Sequence, residues 1–170
     1  MGARRSGLLA VCGSLIFVTG VSCGPDVPDL LCPAGTERQG AKPPKGLKEQ
    51  CVDPEKRGPR GLPYKEGPTR RWWPSGRVRS LGQFSANAPH GEFKWWYNNG
   101  NLSAVGRYHK GRKVGPWKEW AYKGTLTSMT PYKDGRIHGE RVFYAPDGRV
   151  QQTYRYRGGR LLDKKGVRPR

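Results

Sequence analysis

The chain has 170 residues, a formal net charge of +19 and a hydrophobic content of only 34%, with 25 Gly and 15 Pro. So little aliphatic material excludes a thick two-layer core. Six Trp, eight Tyr and four Phe exclude a disordered composition, because they supply surface to bury.

The N-terminus reads as a targeting segment. Arg4 and Arg5 precede an uncharged stretch, Leu8 to Val21, with the apolar run LLAVCGSLIFV. This is short for a membrane span, which needs about 20 apolar residues, and suits the apolar region of a signal peptide over residues 1–22. Gly20 and Ser22 stand at −3 and −1 before Cys23, as ordinary signal peptidase requires. Val21-Ser22-Cys23 also resembles the end of a bacterial lipobox, in which the cysteine becomes the lipidated first residue; that pattern carries an aliphatic residue where Gly20 stands. The resemblance implies an exported chain anchored through Cys23. It is then a membrane lipoprotein of the cell envelope; cleavage without lipidation leaves it periplasmic or secreted.

Cysteine parity agrees. Cys12 lies inside the apolar run, leaving Cys23, Cys32 and Cys51. With lipid on Cys23, Cys32 and Cys51 remain as a pair for a disulfide, worth about 3 kcal/mol in the chain-entropy model. Metal binding by these cysteines is disfavoured, since no C-x-x-C or Cys/His ligand spacing is present. Residues 23–66 show no sustained periodicity and nearly balanced charge, and read as a Pro/Gly-rich linker holding a stapled loop.

From Gly67 the chain is periodic. Gly67, Gly91, Gly115 and Gly139 are 24 residues apart, as are Gly76, Gly100, Gly124 and Gly148. Four gapless units result, 67–90, 91–114, 115–138 and 139–162, followed by a basic tail, 163–170. One aromatic column is Trp72, Trp96, Trp120 and Tyr144; a second is Phe84, Tyr108, Tyr132 and Tyr156. Between them runs an aliphatic column, Val78, Leu102, Leu126 and Val150. Each unit reads as a β-hairpin: an aromatic-rich strand, a turn such as Asn99-Gly100 or Asp147-Gly148, a second strand, and a second turn. The expected fold is all-β, a single-layer antiparallel meander of four tandem hairpins. The two aromatic columns are expected to form the packing or binding ladder. Turns of two or three residues are equally compatible, so the register stays open.

These columns resemble the MORN-repeat family in its bacterial variant, whose pattern is approximately G-x-W-x-x-W-Y-x-N-G-x-L. GEFKWWYNNGNL, Gly91 to Leu102, is nearly a full match, and GPWKEWAYKGTL keeps Gly115, Trp117, Trp120, Gly124 and Leu126. The outer units diverge, with Thr69 and Arg141 where Phe93 and Trp117 stand, as capping units do. The resemblance implies a single-layer sheet with scaffold or binding roles, in some relatives at membranes and in others as an antitoxin component of toxin–antitoxin modules.

Catalytic signals are lacking. His90 and His138 are repeat-equivalent, as are Glu92 and Glu140, which marks them as scaffold. No nucleophile–base motif or phosphate-cradling loop is present, and no cofactor is expected. An envelope hydrolase would need a clustered carboxylate pair. Charge is more informative: the repeats hold 18 Lys/Arg against five Asp/Glu, a net of +13, and the tail adds +3. The expected partners are a protein or an anionic envelope surface, meaning lipid headgroups or acidic polymers. Nucleic acid is disfavoured for an exported chain, although a basic, aromatic sheet can bind it. The same charges also suffice to keep sheet edges from aggregating. Exposed aromatic ladders favour a homodimer. The alternative role is an antitoxin-like or immunity-like protein that neutralises a partner polypeptide.

Overall fold

A computed structural model describes residues 29–166. The expected signal segment, Cys12 and the expected lipidation site Cys23 lie outside the described residues.

The described chain is one antiparallel sheet whose strand order follows the chain order. It opens with β1 (Glu37–Ala41), β2 (Lys48–Arg57), β3 (Pro63–Trp72) and β4 (Val78–Ser85). Next come β5 (Ala88–Trp96), β6 (Leu102–His109), β7 (Arg112–Trp120) and β8 (Leu126–Lys133). It closes with β9 (Arg136–Ile137), β10 (Gly139–Tyr144), β11 (Val150–Arg157) and β12 (Arg160–Gly166). The four repeat units are the hairpins β3/β4, β5/β6, β7/β8 and β10/β11, as the 24-residue period predicts. β9 pairs with β8 and is the start of the strand that β10 continues past His138.

The two turns of each unit differ, which settles the open register. The first is a three-residue loop. Tyr97 N–H donates to Asn101 O (2.8 Å) and Gly100 N–H to Tyr97 O (3.0 Å), with Gly100 at φ +95°. This is a type I turn closed by a left-handed glycine. Asn99 is not left-handed; its side-chain oxygen instead accepts the Asn101 N–H at 3.0 Å. The second turn is a two-residue loop with both residues at positive φ: Lys110-Gly111, Asp134-Gly135 and Gly158-Gly159. That geometry matches the right-handed twist of the flanking strands.

Two bulges recur with the same period. One leaves position 13 of each unit unpaired, because Trp72 pairs Val78, Trp96 pairs Leu102, Trp120 pairs Leu126 and Tyr144 pairs Val150. The other lies where units join. Leu81 and Gln83 pair Lys94 and His90, so β5 carries two extra residues there. The leading glycines sit in these joints with left-handed backbone, Gly67 at φ +96° and Gly115 at φ +66°.

The expected linker is corrected. Residues 37–57 form a hairpin of the same sheet: Glu37 pairs Val52 and Ala41 pairs Lys48 in β1/β2, and Lys48 pairs Arg71 in β2/β3. Left alone, β3 would present an open edge beside its buried Thr69, Arg70 and Trp72; β2 covers it. The expected disulfide is present, Cys32–Cys51, with Cα atoms 5.5 Å apart and Cys51 fully buried. It pins the segment before β1 against the sheet, with Pro33 packed at Gly67. The basic tail likewise begins inside the sheet: Asp163 pairs Arg155 and Lys165 pairs Thr153.

Candidate binding surface

Alternation along the strands puts position 3 and position 5 of a unit on one face and positions 4 and 6 on the other. The first face carries a continuous run of ring contacts across β4 to β8. Phe84 meets Phe93 (6.0 Å between centroids), Phe93 meets Tyr108 (5.1 Å), Tyr108 meets Trp117 (5.1 Å) and Trp117 meets Tyr132 (6.0 Å), all edge-on. Trp95 bridges Phe93 and Trp117 at 5.7 and 5.5 Å. Edge-to-face pairs of this kind add about 0.5–1.5 kcal/mol each beyond burial. A second, shorter group joins Phe143, Tyr154 and Tyr156.

The structure therefore separates the two expected aromatic columns. Phe84, Tyr108 and Tyr132 lie in the ring network, and Tyr156 in the second group. Trp72, Trp96, Trp120 and Tyr144 each sit opposite an aliphatic residue of their own hairpin and make no ring–ring contact among the described residues. Equivalent strands are two strand widths apart, about 9.5 Å, too far for one column to stack on itself. The rings that are buried instead are Phe93 and Trp117, together with Trp72.

Phe93 and Trp117 were missed as a column because Thr69 and Arg141 interrupt it. The signal that finds them is a glycine in the strand before: Gly82 precedes Phe93 and Gly106 precedes Trp117. A Cβ on Gly82 would overlap the Phe93 ring, and one on Gly106 would overlap the Trp117 indole. The backbone of one unit is thus a socket for the aromatic ring of the next. In the third unit this position is Thr130, and Arg141 replaces the aromatic that would need the space. Arg141 stacks on Phe143 at 4.6 Å instead.

Units are also tied along the first-turn rim. Trp73 Nε1 donates to Trp96 O (3.1 Å) and the Tyr97 hydroxyl donates to Trp120 O (2.8 Å). Asn99 and Asn101 amides both donate to Tyr122 O, and the Tyr122 hydroxyl donates to Asn98 Oδ1. Ala121 and Ala145 follow at the position of Trp73 and Tyr97, and carry no side-chain donor.

Four of the five acids of the repeats each have a separate partner. Glu92 pairs with Lys94 (2.8 Å), Glu140 with Arg155 (3.2 Å) and Asp147 with Arg149, while Glu119 accepts the Ser128 hydroxyl (2.7 Å). The Arg149 hydrogen bond holds the Asp147 carboxyl below the ordinary carboxylate range. His90 and His109 face each other at 5.2 Å, and His138 Nδ1 accepts the Gly158 N–H at 3.4 Å. Among the described residues no three His, Cys, Asp or Glu side chains are placed to hold a metal ion. Burial pushes the Tyr108 phenol above its usual value, with Tyr132 adding to the shift. Lys113 lies over both Trp117 (4.0 Å) and Tyr132 (5.0 Å), within cation–π range.

A family model described as a MORN repeat variant matches residues 89–110, the β5/β6 hairpin and the start of the turn after it. No curated protein matches the chain. A repeat of this type points to a binding or scaffold module.

Proposed function

We propose that the protein is an exported, non-catalytic repeat module, anchored by lipid on Cys23, that presents a basic sheet to a protein partner or an anionic surface of the cell envelope. The observation that carries this reading is the pairing pattern: four of the five repeat acids are engaged by their own neighbours, while the repeats keep a net of +13. The Cys32–Cys51 disulfide supports an oxidising compartment. It also leaves Cys23 as the remaining thiol beyond the expected signal segment.

The test is mass spectrometry of the N-terminus in membrane and soluble fractions of the native host. Acylated Cys23 in the membrane fraction is the expected result. An intact Met1 in the cytosol overturns export and favours the antitoxin-like role that the family resemblance implies.

A further inference from the structure

We propose that one rim of the sheet, formed by its two-residue turns, is a docking track for a linear acidic polysaccharide carrying a carboxylate on every second sugar. The choice of polymer rests on the exported reading above; the geometry of the track does not.

The rim is built from a column the aromatic pattern hides. Arg112, Arg136 and Arg160 are 24 residues apart, each the first residue after a two-residue turn, and all are exposed. Lys110, Lys133 and Arg157 flank them, also exposed. None of these six cations is held by an ion pair, hydrogen bond or aromatic ring among the described residues. Asp134 is the acid among these turns.

Eight of the other twelve repeat cations are engaged. Arg149 is tied to Asp147, Lys94 to Glu92 and Arg155 to Glu140. Arg77 on the opposite rim donates to Asn98 O at 3.1 Å, and Lys113, next to Arg112, lies over rings. Among the described residues, six of the ten unengaged cations of the repeats therefore lie along one line, and the other four, Arg71, Arg107, Lys118 and Lys123, are not among the residues of these turns.

That line has a fixed spacing. Gly135 N–H donates to Lys113 O (2.9 Å) and Gly159 N–H donates to Ile137 O (2.8 Å), so each turn is docked onto the strand of the preceding one. The Arg112 Cβ lies under Gly135 and the Arg136 Cβ under Gly159, at 3.7 and 3.9 Å from where a Cβ would stand on each glycine. One arginine thus recurs every two strands, about 9.5 Å apart. Roots held by the backbone lower the ordering cost of binding.

A row of evenly spaced guanidinium forks suits planar carboxylates, which they bind in bidentate fashion. A polysaccharide of alternating 1,3 and 1,4 links with a uronate on every second ring repeats at close to this interval. Duplex nucleic acid carries one charge per roughly 1.7 Å of axis, far denser than the track. A lipid surface is two-dimensional and would engage a face rather than a rim.

The test is binding of hyaluronan oligosaccharides to the purified full chain, oxidised, by calorimetry. Affinity should climb from tetrasaccharide to hexasaccharide and then level, since three arginines meet three uronates. Arg112→Gln/Arg136→Gln/Arg160→Gln should weaken binding about a hundredfold, each cation counting for roughly a fivefold factor. Lys94→Gln/Lys118→Gln/Lys123→Gln, with the same loss of charge, should weaken it less than about fivefold. Unchanged thermal melts of both variants check that folding is intact. Equal losses in the two variants, tighter binding to single-stranded DNA of equal charge, or tighter binding to phosphatidylglycerol vesicles would each overturn the proposal. A cytosolic, unprocessed chain would undo the export reading while leaving this measurement standing.

Discussion

Gly106→Ala is the sharpest probe of how the repeats cohere. Gly106 is buried in the middle of β6, and its φ is not in the left-handed region, so the backbone alone would accept alanine. On entropy alone the change would stabilise the protein by about 0.4–1 kcal/mol. The new methyl, however, would overlap three atoms of the Trp117 indole. Trp117 is 5% exposed and is boxed in by Tyr108, Tyr132 and Trp95, so it cannot move without losing those contacts. Overpacking costs about 1–3 kcal/mol, and weakening two or three ring pairs adds about 0.5–1.5 kcal/mol each. The expected net is a loss of about 4 kcal/mol at the middle of these ranges, a large share of a typical stability of about 5–15 kcal/mol. Urea unfolding followed by far-UV circular dichroism should show a lower midpoint at an unchanged slope. The decisive measurement is a double-mutant cycle with Trp117→Ala. With the indole gone, Gly106→Ala should become neutral or slightly stabilising. A penalty that persists undiminished in the Trp117→Ala background refutes the socket.

Three further outcomes are expected. Cys32→Ser/Cys51→Ser should cost about 3 kcal/mol in the chain-entropy model, with reduction by dithiothreitol lowering the melting temperature of the native chain but not of the variant. Gly115→Ala should cost about 1–2 kcal/mol through its left-handed backbone, and Gly115→Asn less, because nothing lies within 4 Å of a Cβ there and only φ is at issue; equal midpoints for the glycine and alanine forms would contradict this. Tyr108 has its folded-state pKa raised above the unfolded value of about 10, chiefly by burial. Its contribution is therefore fully present below pH 10 and lost as pH rises through the folded pKa. Urea midpoints at pH 9 and pH 11 should fall further in the native chain than in Tyr108→Phe.

Much of this architecture was legible in the amino-acid sequence, because it is set by local rules. The leading glycines and Gly76, Gly100, Gly124 and Gly148 repeat every 24 residues because each must adopt a positive φ, which costs other residues most. The aromatic and aliphatic columns mark paired strands, and the disulfide joins the two cysteines that the expected signal segment and lipidation site leave over. What lay beyond the sequence depends on register. A one-residue slip moves every side chain to the opposite face, and each unit contains two bulges that no composition reveals. These bulges decided that Tyr108 joins a ring network while Trp96 and Trp120 face aliphatic partners on the other side. They also decided that Gly106 lies under Trp117, a contact between residues 11 apart in the chain and on neighbouring strands. The hairpin 37–57 has no periodicity of its own and enters the sheet because the edge of β3 needs a partner, a demand visible only once β3 is in place. The rim of Arg112, Arg136 and Arg160 has the same origin: the spacing is in the sequence, and the alignment of its charges exists only when the turns dock on one another.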